Sequence, residues 1–272
     1  MKHLSRVFIA ICFIILYAPI LVLMLFSFNS TASTGVFSGF SLYWYGELFK
    51  SGDVFNALRN TLILAVTSSL TATVIGTCAA VGLDRMRSRR MRGIVSSVTN
   101  VPMMNPDIVT GVSMMLLFVG VAGLLKTTSL LGFWTMLIAH TTFNLPYVTL
   151  SVLPKLRQMD NSLSEAALDL GCTPAQTFFR VELPSILPGV LSGLMMSFTL
   201  SLDDFVISHF VSSADFRTLP LYIYNQTAHE VKFSMYALCT LIILVILALL
   251  IAVNFAGSVG QRRQRRKVGA RG

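Results

Sequence analysis

Three carboxylates stand inside otherwise apolar stretches of this chain. Asp107 occurs in Asn105-Pro106-Asp107-Ile108, and Asp203 and Asp204 are adjacent in Ser201-Leu202-Asp203-Asp204-Phe205. An aspartate at the centre of a membrane helix costs about 2.5–3.5 kcal/mol on insertion scales, so such groups face a bundle interior or water. Carboxylates spaced along a passage attract a cationic solute, and an aromatic face adds cation–π attraction. Trp44, between Tyr43 and Tyr45, supplies such a face. Adjacent residues of a helix point about 100° apart, so Asp203 and Asp204 cannot both line one narrow path. One is assigned to the passage and the other to an internal partner, with Arg59 and His209 as candidates. Two bland alternatives stay open: Asp107 as a helix-start cap behind Pro106, and Trp44 as an interfacial belt residue.

Nothing frames catalysis. There is no G-x-x-x-x-G-K-[ST] phosphate loop and no nucleophile motif, and His140 reads as a packed, hydrogen-bonded helix residue. Cys12, Cys78, Cys172 and Cys239 are scattered, with no C-x-x-C or Cys/His spacing, so no disulfide frame or metal site is expected. The chain is predicted to have no catalytic residues and no metal ligands.

A polar insert separates two apolar stretches. Ser162 and Glu165 have the spacing of a capping box, and Gly171 stands where a left-handed helix end is needed. Thr173, Pro174 and Gln176 then start a second short helix, which Pro184 is expected to stop. Leu163, Ala166, Ala167 and Leu170 follow the i, i+3, i+4, i+7 rule and form one apolar face with two small residues. Another backbone can approach such a face closely, which makes the insert a docking element for a soluble partner.

The elements that must carry these groups are membrane helices. The chain has 272 residues, 54% hydrophobic and 12% charged, with mean hydropathy +0.72, against about 25% charged in soluble domains. Six stretches are long enough to cross about 30 Å of hydrocarbon: 7–28, 62–83, 102–124, 131–153, 186–210 and 235–255. The first lacks a convincing small-residue cleavage site and reads as a helix. Short interfacial helices are expected at 47–49 and 55–58, and Gly189, Gly193 and Ser197 give the fifth span a small-residue packing face.

Basic residues set the orientation. With an inner N-terminus, 16 of the 21 Lys and Arg fall on inner segments, and only Lys50, Arg59, Lys126, Arg217 and Lys232 fall outside. Both termini and the insert are therefore predicted to be cytoplasmic. The basic run from Arg262 to Lys267 directly follows a span, which favours attraction to anionic lipid over nucleic-acid binding. The organisation is one membrane domain, 1–257, with the insert at 160–184 and a basic tail at 258–272.

Glu165-Ala166-Ala167, Gly171, Val181 and Leu183-Pro184 resemble the EAA loop of ABC importer permeases, with valine where isoleucine is more usual. Tyr17-Ala18-Pro19, Phe26-Ser27-Phe28-Asn29-Ser30, Trp44-Tyr45, Pro106-Asp107-Ile108 and Ser197 to Asp204 resemble the C-type permease of spermidine/putrescine importers, over about residues 15–255. The resemblance implies an all-α membrane protein with the six-helix type I importer permease fold and a cytoplasmic coupling helix. It implies a bacterial inner-membrane setting, a second homologous permease and an external solute-binding protein. It also implies a dimeric ATPase that holds ATP and Mg, with no cofactor in this chain. Trp44, Asp107, Asp203 and Asp204 become the substrate pathway. Glu165, Ala166, Ala167, Gly171, Leu183 and Pro184 become the contact with the ATPase. Another organic cation or amino-acid-like cargo is the nearest alternative; an ion-coupled carrier or channel is the more distant one.

Overall fold

A computed structural model describes residues 2–33, 35–127, 130–228, 232–245 and 247, and the side chains of all of these except 2–5 and 161. Among the described residues the architecture is helical throughout. The helices are α1 (Lys2–Phe26), α2 (Tyr43–Lys50), α3 (Gly52–Arg85), α4 (Arg89–Met104), α5 (Asp107–Leu124) and α6 (Phe133–Gln158). They continue as α7 (Asn161–Asp169), α8 (Pro174–Thr177), a π-helical turn (Phe178–Glu182), α9 (Leu183–Asp203), α10 (Val206–Val211) and α11 (Leu219–Thr227), followed by α12 (Phe233–Val245). Five stretches are long and apolar enough to cross a membrane: Arg6–Phe26, Gly52–Arg85, Asp107–Leu124, Phe133–Gln158 and Pro174–Asp203. α12 opens the sixth expected span; the rest of that span and the basic tail lie outside the described residues.

The expected spans need four corrections. α3 starts at Gly52 rather than 62 and absorbs the short helix expected at 55–58, because no proline interrupts this stretch and Asp53 complements the positive end of the helix. The third span is broken: Pro106 has no N–H and pushes Asn105 to extended backbone (φ −82, ψ 143), so α4 ends and α5 begins at Asp107. The fifth span is broken as well, at Asp204 (φ −62, ψ 120). Its start lies earlier than expected, because Pro184 does not stop the preceding helix. The chain widens into the π-turn, where the Leu183 N–H donates to the Phe178 carbonyl, and Pro184 falls in the first turn of α9, where its missing N–H has little cost.

The caps of the polar insert follow local chemistry. Asp160, not Ser162, caps α7, its carboxylate accepting the Ser162 N–H at 3.0 Å. That bond holds the Asp160 carboxyl below its usual pKa. At the other end the Cys172 N–H reaches the Ala167 carbonyl (3.1 Å) and the Gly171 N–H reaches Leu168 (2.9 Å), a Schellman closure with Gly171 at φ +87. Thr173 and Gln176 form the expected reciprocal box, at 3.3 and 3.0 Å.

The described residues cluster into two compact units, one drawn from Met1–Val54 with Ile223–Gly272, the other Phe55–Tyr222. In the second unit α6 packs along α9, and glycines let the backbones approach. A Cβ on Gly189 would lie 2.9 Å from the Ser151 carbonyl, and one on Gly193 would lie 3.2 Å from the Val148 Cα. Ser197 completes this small-residue face and is fully buried. Two apolar cores result. Ala72, Ala80, Leu83, Val148, Val152, Leu156 and Ile186 belong to one, and Leu64, Met136, Ala139, Phe143, Ile207 and Val211 to the other.

Alanine has the higher helix propensity by about 1 kcal/mol, so Gly82→Ala, where no atom lies within 4 Å, should leave the unfolding midpoint unchanged or raised. Gly189→Ala should lower it, because forcing α6 from α9 costs about 1–3 kcal/mol. Thermal unfolding of the two purified variants in detergent checks the contrast.

Candidate functional site

Between the two cores of the second unit lies a polar knot. Leu64 and Ala72 of α3 belong to opposite cores, and Ser68 falls between them. Its hydroxyl shares a 2.8 Å hydrogen bond with Ser201 of α9. Ser201 is also 2.8 Å from Nδ1 of His140, on α6, which is 2% exposed. Nε2 of His140 meets the Ser208 hydroxyl of α10 at 3.2 Å and an Asp204 oxygen at 3.5 Å. Asp204 also accepts the backbone N–H groups of Ile207 (3.3 Å) and Ser208 (2.8 Å), so it caps α10. The internal partner expected for one of the aspartates is therefore His140, together with two amides, in place of Arg59 or His209. Packing decides this, because the helix break turns Asp204 inward against α6.

Asp203 is left exposed as the last residue of α9. The last carbonyls of a helix carry about half a negative charge, so the carboxylate and the helix end present negative charge together. Asp107 is also exposed, at the first position of α5, and its side chain makes no cap bond. The two breaks flank one helix contact. A Cβ on Gly111, one turn after Asp107, would lie 3.5 Å from the carbonyl of Val206, three residues after Asp203. Interrupted backbone at membrane depth is tolerated where it is buried in protein or lines a water-filled cavity. An open cavity of about 500 Å³ is lined by Met103, near the end of α4, by Thr199, one turn before Asp203, and by Tyr147, Ser151, Met195 and Met196.

Trp44 belongs to the other compact unit. Its indole N–H donates to the Asn29 carbonyl at 2.8 Å, and its ring packs on Tyr43 and Phe233. Asn29 is itself fully buried and stitches the loop after α1 through Ser33, Val36 and Ser38.

On α7 and the turn that follows it, Leu163, Glu165, Ala166 and Leu170 point outward, Leu170 being 87% exposed. Ala167 does not join that face; it is 8% exposed and packs against its own chain. Leu183 likewise packs on the first apolar core, whereas Pro184 and Gly171 are exposed. His140 is the packed, hydrogen-bonded helix residue that was expected, but its partnership with Asp204 and the parts of Ser68, Ser201 and Ser208 escaped sequence reasoning. The available signal was the placement of Ser201 and Ser208, which flank Asp204 at three and four residues.

The family described as "Binding-protein-dependent transport system inner membrane component" matches residues 72–266. The putrescine transport system permease protein PotI of Escherichia coli K12 is 40% identical over 232 residues, covering 85% of this chain and 82% of that protein. The spermidine/putrescine transport system permease protein PotC of Haemophilus influenzae is 38% identical over 250 residues, covering 91% and 94%. Among solved structures, a bacterial ABC transporter involved in the import of the acidic polysaccharide alginate superposes with a TM-score of 0.75 at 17% identity, covering 96% of this chain and 95% of that one. An inward-facing MetNI methionine ABC transporter gives 0.58 at 23% identity, covering 75% and 93%. At these identities the structures speak for the fold alone.

Removing one partner of a buried hydrogen-bonded network leaves polar groups unsatisfied, at about 1–3 kcal/mol each. His140→Ala should therefore lower the unfolding midpoint and membrane abundance sharply, while Asp203→Asn should leave both at the wild-type level. Gly171→Val, which puts a β-branched residue at φ +87 on an exposed turn, should abolish solute uptake while membrane insertion stays intact. Uptake normalised to immunoblotted membrane protein reads this out.

Proposed function

The chain belongs to the family of binding-protein-dependent transport system inner membrane components, and on that premise we propose that it passes a polyamine of the spermidine or putrescine class inward. It is a transport permease subunit, not an enzyme. The observation that carries the cargo reading is the exposed carboxylate of Asp203 at the negative end of α9, with Asp107 beside the same helix contact. Polyamines are chains of methylenes between ammonium groups. Two separated carboxylates and a cavity of methionine, tyrosine, serine and threonine complement both parts of such a solute. Trp44 serves as the aromatic contact of the outer segment. Each contact must be weak enough to release the cargo, which favours several modest contacts over one tight site.

The remaining machinery follows from the same premise. A second homologous permease completes the pathway, a binding protein delivers solute on the outer face, and both termini of this chain lie in the cytoplasm. An ATPase dimer holding ATP and Mg docks on Leu163, Glu165, Ala166 and Leu170 of the coupling element, with Gly171 giving the turn and Pro184 the exposed shoulder. The excess of basic residues on the inner segments supports that orientation.

In cells expressing the complete transporter, Asp203→Asn and Asp107→Asn should each cut uptake of radiolabelled spermidine or putrescine by about tenfold, the worth of one charge-assisted contact. Membrane abundance should not change. Unchanged uptake would remove the carboxylates from the pathway. Failure of wild type to import either polyamine, with import of another organic cation, would replace the cargo.

A further inference from the structure

Glu182 sits where a carboxylate has no solvent to justify it. It is 8% exposed, it closes the π-turn, and it lies two residues before Pro184 at the head of α9. One oxygen accepts from Nη2 of Arg85 at 2.6 Å, and the other accepts from the Ser164 hydroxyl at 3.4 Å. Arg85 is the last residue of α3. Ser164 belongs to α7, one residue before the outward-facing Glu165. A single side chain therefore ties the coupling helix to the cytoplasmic ends of two spans.

The backbone at that point makes such a tie useful. A π-turn replaces the i→i+4 ladder with i→i+5 hydrogen bonds over a single widened turn, and such turns are frequent at functional sites. Left unbraced, the turn Phe178–Glu182 would absorb a displacement of α7 before it reached α9. The Arg85 bond is charge-assisted and directional, which opposes that bending. The two ends also differ. The Arg85 side chain is 52% exposed and can detach into water, whereas the Glu182 side chain, at 11%, cannot leave without stranding a buried charge. Exposure of the arginine also keeps the contribution of the pair to folding small.

We infer that Glu182 is a positioning residue for energy coupling: it braces the π-turn so that movement of α7 is transmitted to α3 and α9 together. The inference rests on the proposed role of α7 as the ATPase-docking helix. It adds a specific transmission path, and it makes Arg85 and Ser164 parts of one device.

The test uses the whole transporter in proteoliposomes with its binding protein, measuring ATP hydrolysed per solute imported. Glu182→Gln and Arg85→Met should raise that ratio by about fivefold or more, within the usual range of coupling between sites. The double variant should be no worse than either single one, because both remove the same brace, and Glu182→Asp should recover part of the coupling. Arg85→Met cuts the link from its exposed end, so it remains informative if Glu182→Gln folds poorly. An unchanged ratio, with uptake and hydrolysis falling together with abundance, would overturn the inference and make the pair merely structural. Absence of solute-stimulated hydrolysis in wild type would instead overturn the docking role of α7.

Discussion

The imidazole of His140 lies between the hydroxyls of Ser201 and Ser208, 3.5 Å from the carboxylate of Asp204, and this contact holds Asp204 inward where the fifth apolar stretch breaks. Ser68 extends the knot to α3, so four helices meet on one set of hydrogen bonds. An unpaired carboxylate between two apolar cores would be expensive, and the same low dielectric strengthens each bond that satisfies it. Asp204 spends its oxygens on the first amides of α10 and on the histidine. The consequence reaches the neighbouring residue: with Asp204 turned inward, Asp203 ends α9 with its carboxylate exposed.

Asp203 is also one end of a rod. The stretch Pro174–Asp203 is a single apolar helical run of 30 residues, about 45 Å long at 1.5 Å per residue. One end carries the π-turn and Glu182, bound to α7 and α3; the other carries the knot and the exposed carboxylate. Between them, Gly189, Gly193 and Ser197 lay the rod against α6 with almost no intervening side chain, so bending has little room. A displacement at α7 is thereby mechanically continuous with the exposed carboxylate of Asp203. The irregular positions lie at the ends of the rod, and the regular part connects them.

Much of this was legible in the residues. Apolar length marked stretches long enough to cross a membrane though not their bounds, and the Thr173-Pro174-Gln176 box and the Gly171 turn formed as their chemistry requires. The small-residue face on α9 packed as its spacing predicts. What escaped notice depends on contacts between distant segments. Hydropathy does not register a break inside an apolar run, so 186–210 read as one helix although Asp204 had an N-capping role to fill three and four residues ahead. Pro184 looked like a terminator because the π-turn that accommodates it has no sequence signature. Asp160 displaced Ser162 as the cap because it stands directly before the first helical residue, Asn161, where its carboxylate accepts the Ser162 N–H. The inward turn of Ala167 depends on which side of α7 meets the π-turn, and periodicity alone is silent on that.

On the proposed reading, the break at the aspartate pair exposes Asp203 to the transported cation within an otherwise packed helix. The most direct measurement is thiol accessibility in the complete, membrane-embedded transporter, with Cys12, Cys78, Cys172 and Cys239 first replaced by serine or alanine. Asp203→Cys and Asp107→Cys should react with a water-soluble thiosulfonate and be protected by spermidine, while Ser197→Cys, fully buried on the same helix as Asp203, should stay unlabelled. Equal labelling of all three positions, or labelling of Asp203→Cys that spermidine does not slow, would contradict the account.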